Sequence, residues 1–317
     1  MTQPEVRKAV FPAAGLGTRF LPITKAQPKE MLPLVDKPSI QYGVEEAIAS
    51  GITHIVMVTG GGKRAIFDHF DRSRELETYL EQRGKQDLLE ILAEVDRLSD
   101  RCAISYITQK EPLGLGHAVL TAQPIVDGDP CAVLLPDDVI LGGPPCLGQL
   151  IEVYRRTGAT VLAARRVPKS QVSRYGIIAT DGGPGPLHQV TDVVEKPEPG
   201  EAPSDLAILG RYVLAPDVFP ELRGIQPGAG SELQLTDGIR RTIAAGKVVA
   251  LEFAGEYHDT GTIPGYLKAN LALGLQREDL REELLQVIRA MVDADELAVR
   301  SGSARLGGSR EIRDFVG

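Results

Sequence analysis

The sequence predicts an α/β fold built on a mixed, mostly parallel, doubly wound sheet, and three observations predict it. Apolar runs of strand length recur at 8–13 ("KAVFPA"), 54–60 ("HIVMVTG"), 103–109 ("AISYITQ"), 131–138 ("CAVLLPDD") and 159–167 ("ATVLAARRV"), the pattern of strands covered on both faces. Between several of them lie helix-period stretches, including 39–51 ("SIQYGVEEAIASG") and 144–158 ("PPCLGQLIEVYRRTG"), and this alternation gives parallel strands with helices on both sides. From 176 onward the rhythm shifts to "YGIIATDG" and "LHQVTDVVEKP", shorter alternating strands with turn residues between them, which predicts antiparallel additions to the sheet.

Composition sets the bounds. The 317 residues are 43% hydrophobic and 25% charged, ordinary for a globular chain and enough for one large α/β domain or two smaller ones. With 43 acidic against 35 basic residues the net charge is −8, and no block is basic enough for a nucleic-acid footprint. A bound polyanion must therefore meet a few placed cations, which points to a small ligand. Cys102, Cys131 and Cys146 form neither a metal spacing nor a disulfide framework and are expected to be reduced. No apolar run approaches the roughly 18 to 20 residues of a membrane span. The opening "MTQPEVRK" lacks an apolar signal core, so the expectation is a cytoplasmic chain with no membrane and no nucleic-acid partner.

The first strand leads into "AAGLGTRFLPITKAQPKEMLPLVDKP" at 13–38. Gly15 and Gly17, with Ala13 and Ala14, let the backbone come close to a ligand and leave amide N–H groups without partners, which makes an anion site at a strand's C-terminal end. A Gly-rich turn in this place also serves simply to tighten the chain reversal. The dinucleotide fingerprint needs a third glycine at position 20, which is Phe20, and neither this loop nor "GGGKRA" at 60–65 supplies Gly-Lys-Ser/Thr. Arg19, Lys25 and Lys29 add three cations, and Pro22, Pro28 and Pro33 hold them by removing backbone freedom. Such a loop suits a highly charged phosphate chain.

The pattern GLGTRFLPxTKxxPKEMLPLxDKP resembles the sugar-nucleotide pyrophosphorylases, which join a nucleoside triphosphate to a sugar 1-phosphate and release pyrophosphate. Further pieces narrow the resemblance to the bacterial UTP–glucose-1-phosphate uridylyltransferases: "PKEMLPLVDKPSIQYGVEEA" at 28–47, "RELETYLEQRGK" at 74–85, "EPLGLGHAVL" at 111–120, "LLPDDVI" at 134–140, "RYGII" at 174–178, "VVEKP" at 193–197, "LGRYVL" at 209–214, "GAGSELQLTD" at 228–237 and "YHDTGTIPGYLKAN" at 257–270. They run in order and spacing over residues 7 to 275. The resemblance implies the nucleotide-diphospho-sugar transferase fold, Mg²⁺ as cofactor, and conversion of UTP and glucose 1-phosphate to UDP-glucose and pyrophosphate. Both reactants are anions, so the chemistry asks mainly for positioning and charge neutralisation.

Candidate residues follow from the same motifs. "LLPDDVI" is an apolar strand ending in two carboxylates, where open parallel sheets place ligand chemistry, although an Asp pair there also caps helices. The resemblance makes Asp137 a Mg²⁺ ligand and Asp259 of "HDTGT" the second metal carboxylate, with capping of a helix at 264–273 as the alternative for Asp259; Asp138 stays outside the metal site. It sets Arg19 against the departing phosphates and Lys29 at the α-phosphate, with Thr18 and Lys25 among the nucleotide-binding residues. The resemblance assigns uracil to Gln109 and the backbone of Gly114, with help from the Ala13–Ala14 backbone and Glu30 as a further candidate; a carboxylate can accept the uracil N3–H, although Glu30 also reads as a surface acid. His117 reads as a structural hydrogen-bonder. In "EKP" the resemblance gives Glu195 the glucose hydroxyls and Lys196 the sugar phosphate, with Gly176 and Gly210 presenting backbone to the sugar; an exposed Glu-Lys pair is the plain alternative.

The expected organisation is a catalytic domain over 1–275, carrying a charged amphipathic helical insertion at 72–98, then a helix at 277–299 and a Gly/Ser/Arg-rich tail at 300–317 that serve assembly into a homo-oligomer, a dimer or tetramer. Two rival readings stay open. One is a thymidylyltransferase of the same fold; the other is a non-catalytic sugar-nucleotide sensor, which would be expected to lack one of Arg19, Lys29, Asp137, Lys196 and Asp259.

Overall fold

In the computed structural model, which describes residues 3–228 and 231–300 with side chains to 293, strand β1 (Lys8–Ala13) runs into three 3-10 turns at Thr18–Phe20, Ile23–Lys25 and Lys29–Met31. Pro22 and Pro28 stand immediately before the second and third of these, where a fixed φ and a missing N–H cost nothing. The two-residue strands β2 (Pro33–Leu34) and β3 (Lys37–Pro38) pair with each other and lead into α1 (Ser39–Ala49). Next come β4 (His54–Thr59), α2 (Arg64–Phe70), α3 (Arg74–Gln82), α4 (Gln86–Arg101), β5 (Ala103–Thr108), α5 (Leu115–Val126), β6 (Cys131–Leu134), β7 (Asp138–Leu141), α6 (Cys146–Thr157) and β8 (Thr160–Arg166). The second half supplies β9 (Gly176–Thr180), β10 (Leu187–Glu195), β11 (Leu206–Leu214), α7 (Val218–Gly224), α8 (Leu235–Ile243), β12 (Val248–Glu252), β13 (Glu256–Asp259), α9 (Ile263–Gln276) and α10 (Glu278–Arg300).

Nine strands form one sheet in the order β5-β4-β1-β6-β11-β8-β12-β10-β9. β5, β4, β1 and β6 are mutually parallel, as are β8 and β12, while β11 lies antiparallel between β6 and β8, and β10 pairs antiparallel with β12 and β9. The mixed sheet, the parallel first half and the antiparallel additions are all as the sequence predicts. Alternate residues of β1 feed opposite faces: Phe11 packs with Ile40, Met57, Leu134 and Leu147, whereas Val10 packs with Val56, Ala118, Val133 and Leu162. Both layers are buried, and this two-sided burial selects continuous apolar strands over alternating ones.

The chain passes from β1 to β4 to β5 on one side and then returns to place β6 on the other side of β1. Strand order thus reverses between β1 and β6, and the crevice beyond their C-terminal ends is where such sheets bind ligands.

Several boundaries differ from expectation. The run at 131–138 is not one strand: β6 ends at Leu134, the chain turns through Leu135–Asp137, and β7 starts at Asp138 in a separate two-stranded sheet with β13. The charged stretch at 72–98 is two helices, α3 and α4, interrupted where Gly84 takes a left-handed φ of 62°, and α4 continues to Arg101. Among the described residues no helix is long and apolar enough to cross a membrane. The three cysteines are free and buried, and burial pushes the thiols of Cys102 and Cys131 up to about 11 and about 12.

Two units divide at Tyr266 and Leu267. The first holds the sheets and every candidate site residue. In the second, Leu284 of α10 packs against Gly274 of α9, Arg277 forks onto Asp279 with N–O distances of 2.8 and 2.7 Å, and Leu271, Val287, Met291 and Val292 are exposed. The predicted tail falls outside the described residues except for Arg300, the last residue of α10.

Candidate active site

Two cavities open at the C-terminal ends of β1 and β6. One, of about 510 Å³, is walled by Ala14, Gly15, Gly17, Thr18, Lys29 and Glu30 from the first loop and by Gln109 and Gly114 from the connection of β5 to α5. The other, of about 550 Å³, is walled by Arg19, Arg174, Gly176, Glu195, Lys196, Gly210 and Asp259. Leu115, Leu135, Asp137 and Glu232 line both. Asp137 thus stands on the partition between them.

In the first cavity the backbone N–H groups of Gly15, Leu16 and Gly17 find no acceptor among the described residues, as an anion site requires. Gly17 has φ 65°, a left-handed conformation that only glycine takes cheaply, and its carbonyl accepts from the Thr24 hydroxyl at 2.8 Å. Gly114 has φ 97°, and a side chain there would run into Glu232 and the Leu233 backbone. Gln109 is buried; its amide nitrogen donates to Gly114 O at 3.2 Å and to His117 Nδ1 at 2.8 Å. Both amide hydrogens are therefore spent, and Oε1 is left as the acceptor. His117 is the hydrogen-bonder the sequence suggests.

The Glu30 side chain is completely buried, not a surface acid, and both its oxygens receive the Lys63 ammonium, at 3.0 and 2.8 Å. Burial raises the Glu30 carboxyl and lowers the Lys63 ammonium from their usual values. Lys63 comes from the "GGGKRA" segment, whose lysine is anchored to a carboxylate.

The partition carries the strongest charges. Lys29 donates to Asp137 Oδ2 at 2.5 Å. Burial opposes both charges, and their mutual attraction outweighs it, holding Lys29 above and Asp137 below the ordinary values. Asp138 points away: its Oδ2 accepts the Gly210 N–H at 2.9 Å and its Oδ1 the Tyr257 hydroxyl at 2.7 Å. Burial, then the Asp137 charge, pushes its carboxyl up to about 7. No helix follows the Asp pair, so neither residue is a helix cap.

Pairing of β13 with β7 sets Asp259 opposite Asp138 in register. A side chain at Gly261 would sit 2.5 Å from Asp137 Oδ2 and 3.2 Å from Asp259 Oδ1, so the two carboxylates converge on the same glycine. Asp259 accepts from Gly261 N–H at 2.9 Å and pairs with Arg174. Helix α9 is capped instead by Thr262, whose hydroxyl accepts the Gly265 N–H at 3.3 Å. Among the described residues no cluster of three or more His, Cys, Asp or Glu forms a metal cage. Two convergent carboxylates are still what a small hard cation uses when phosphates supply further oxygens.

In the second cavity Glu195 ends β10 opposite Gly176, its Oε2 accepting from the Thr236 hydroxyl at 3.0 Å. Lys196 follows with φ 45°, a conformation costly for a side chain that bears a Cβ, and its ammonium lies 3.3 Å from Glu195. Gly210 lines the wall, but its N–H is taken by Asp138 and its carbonyl by Leu135 N–H and Arg211. Its contribution is the absence of a side chain, because a Cβ would overlap Asp138 and Leu135. Arg19 is exposed, with Nη1 3.4 Å from Gly261 O, while Lys25 is exposed and lines neither cavity.

The model of the Nucleotidyl transferase family matches residues 8–275, which takes in every site residue just described. The chain belongs to that family. This nucleotidyl transferase is 50% identical over 288 residues to the UTP–glucose-1-phosphate uridylyltransferase YngB of Bacillus subtilis strain 168, covering 91% of this chain and 96% of the relative. A UDP-glucose pyrophosphorylase solved with UDP-glucose superposes with a TM-score of 0.80 at 39% identity, over 86% of this chain and 100% of that one. A UTP-bound UGPase from Acinetobacter baumannii gives 0.81 at 41% identity, over 89% and 98%.

Among the polar residues around these cavities that the motifs do not mark are Lys63, Arg174, Tyr257 and Glu232. All four lie within segments already singled out, "GGGKRA", "RYGII", "GAGSELQLTD" and "YHDTGTIPGYLKAN". What those motifs could not give is the partner, since Lys63 meets Glu30 across 33 residues and Tyr257 meets Asp138 across 119.

Proposed function

We infer that the chain transfers the uridylyl group of UTP to glucose 1-phosphate, forming UDP-glucose and pyrophosphate. The observation that carries this reading is Asp137 on the partition between two cavities, one built of phosphate-binding backbone and the other of a carboxylate-ammonium pair. A reaction that joins two anionic substrates needs them to meet at such a wall. Relatives at about half identity carry the same activity in their names.

In this reading UTP occupies the first cavity. The free Oε1 of Gln109 accepts the uracil N3–H, and the N–H groups of Gly15 to Gly17 meet the phosphates. Arg19 and Lys29 neutralise the triphosphate as a sugar-phosphate oxygen attacks the α-phosphorus and the bond to the departing pyrophosphate breaks. Thr18 and Ala14 shape the cradle, with Ala13 buried behind them at the end of β1; Lys25 steers from outside it. Glu195 accepts glucose hydroxyls, and Lys196 holds the sugar phosphate. Glu30 acts through Lys63, fixing the loop that carries Lys29.

Nucleotidyl transferases of this family generally use a divalent metal. The finer assignment is Mg²⁺, which Asp137 and Asp259 would hold and which would supply positive charge against the phosphates. The exposed apolar residues of α9 and α10 support assembly of copies through the C-terminal segment. The deciding experiment measures pyrophosphate release with glucose 1-phosphate across the four common nucleoside triphosphates. Release from UTP well above the others is expected. Equal release from deoxythymidine triphosphate would favour the thymidylyl reading, and none from any nucleotide would favour a sensor.

A further inference from the structure

Strand β11, "LAILGRYVL", is buried along its whole length, and in its middle sits Arg211 with a side chain that is 0% exposed. An arginine there is expensive, because an apolar residue of similar volume in place of a buried ion pair is often neutral or stabilising. Its hydrogen bonds show what it holds. Nε and Nη2 donate to Glu46 Oε2 at 3.0 and 2.9 Å, Nη2 also to Asp138 O at 2.7 Å, and Nη1 to Leu135 O and Gly210 O, both at 3.1 Å. All five donors are used.

Two of those carbonyls bracket Asp137. The turn from β6 to β7 leaves the sheet at Leu135 and rejoins regular structure at Asp138, and Arg211 grips it at both ends. Thr260 closes the middle, donating from N and Oγ1 to Asp137 O at 2.8 and 2.7 Å. The fork geometry matters: a lysine at this depth could reach one carbonyl but not span Leu135 and Asp138 together. Glu46, whose other oxygen accepts the Leu147 N–H at 2.8 Å, neutralises the guanidinium without touching the turn.

We propose that Arg211 is a positioning residue for the metal carboxylate: its guanidinium clamps the Leu135–Asp138 turn so that Asp137 faces the partition between the two cavities. This rests on the reading of Asp137 as a metal ligand. Groups that orient a metal ligand from behind it typically change metal affinity by about 10- to 100-fold when removed.

The test compares Arg211→Lys, the apolar pair Arg211→Met with Glu46→Leu, and Glu46→Gln against the wild type. Mn²⁺ binding in the presence of UTP is followed by electron paramagnetic resonance, beside melting temperature, UTP affinity and kcat. Both Arg211 variants should bind UTP as the wild type does, with Mn²⁺ affinity down about 10- to 100-fold and kcat falling with it. Glu46→Gln keeps every carbonyl bond and should keep Mn²⁺ affinity whatever it does to melting. Wild-type Mn²⁺ affinity in the folded Arg211 variants would overturn the proposal. So would a loss in Glu46→Gln as large as theirs, which would mark general loosening. If the apolar pair does not fold, Arg211→Lys decides on the same outcomes. The wild type separates this from the reading it rests on: Mn²⁺ binding that Asp137→Asn abolishes, with no pyrophosphate released, sinks the activity and leaves Arg211 in place. No Asp137-dependent Mn²⁺ binding overturns Arg211's role itself.

Discussion

Lys29 and Asp137 lie 108 residues apart in sequence and 2.5 Å apart in space, a cation from the loop after the first strand resting on a carboxylate from the turn after the sixth. The pair joins the two sides of the strand-order reversal, so the glycine-rich loop and the Asp137 carboxylate are held in one frame. Because both side chains keep about a fifth of their surface exposed, 22% and 23%, the pair is open to ligand as well as locked to the protein.

Removing either cation should therefore cost turnover more than stability. Lys29→Ala and Arg19→Ala are each expected to lose about 100- to 1,000-fold in rate, the usual effect of deleting one preorganised charge from a transition-state site. Arg19 is exposed, so its variant should melt with the wild type. Wild-type turnover in either variant, with an unchanged melting curve, would remove that residue from the site.

The two adjacent aspartates should part company under substitution. Asp137→Asn is expected to abolish divalent-dependent activity, since an amide is a poor ligand for a small hard cation. Asp138→Asn should instead lower stability by about 1–3 kcal/mol, because only one of the two amide atoms is an acceptor, so the bond accepted from either Gly210 N–H or Tyr257 OH is lost or must reverse. Titrating activity with Mg²⁺ and melting both proteins separates the roles; a Mg²⁺ response lost only in Asp138→Asn would exchange them.

How much of this could be read beforehand follows from the range of the forces involved. Strands buried on both faces, such as β1 and β4, announce themselves by continuous apolar runs, and Pro22 and Pro28 mark the turns they start. The break between β6 and β7 does carry a signal, Pro136 followed by the Asp pair, but "CAVLLPDDVIL" is apolar on both sides of it, so the run reads as one strand unless the proline is given its weight. Gly84 splits the insertion into two helices by a φ that the amphipathic pattern around it does not reveal. Pairings such as Lys63 with Glu30 were illegible for a different reason: each partner is ordinary alone, and only the fold makes both buried. The resemblance offers the Gly210 backbone to a sugar, yet the carboxylate that takes up its N–H sits 72 residues away.

Breaking the Glu30–Lys63 pair by removing one partner should cost more than replacing both. Lys63→Met leaves the wholly buried Glu30 carboxylate without its cation, and the loss of one partner of a buried pair typically destabilises by about 3–5 kcal/mol. Adding Glu30→Leu should recover much of that. Urea unfolding of the two single variants and the double variant measures the coupling; simple additivity would mean that the pair is not a unit.

Selectivity between sugars should rest on Glu195 and not on Lys196. The Glu195 carboxylate is held by Thr236 at 3.0 Å with its side chain 19% exposed, so its orientation is fixed, whereas the Lys196 ammonium is 53% exposed and reads only charge. A site that hydrogen-bonds particular hydroxyls leaves its own polar groups unpaired when an epimer enters, which is how a single stereocentre comes to matter. With Lys196 assigned to the phosphate that glucose 1-phosphate and galactose 1-phosphate share, Lys196→Ala is expected to weaken both alike. Glu195→Gln keeps the shape but trades an acceptor for a donor, and should lower the rate with glucose 1-phosphate and shrink the ratio of glucose to galactose. Steady-state kinetics with both sugars on the wild type and the two variants reads this directly. If Glu195→Gln leaves both the glucose rate and the ratio untouched, sugar recognition lies elsewhere on the wall of the second cavity.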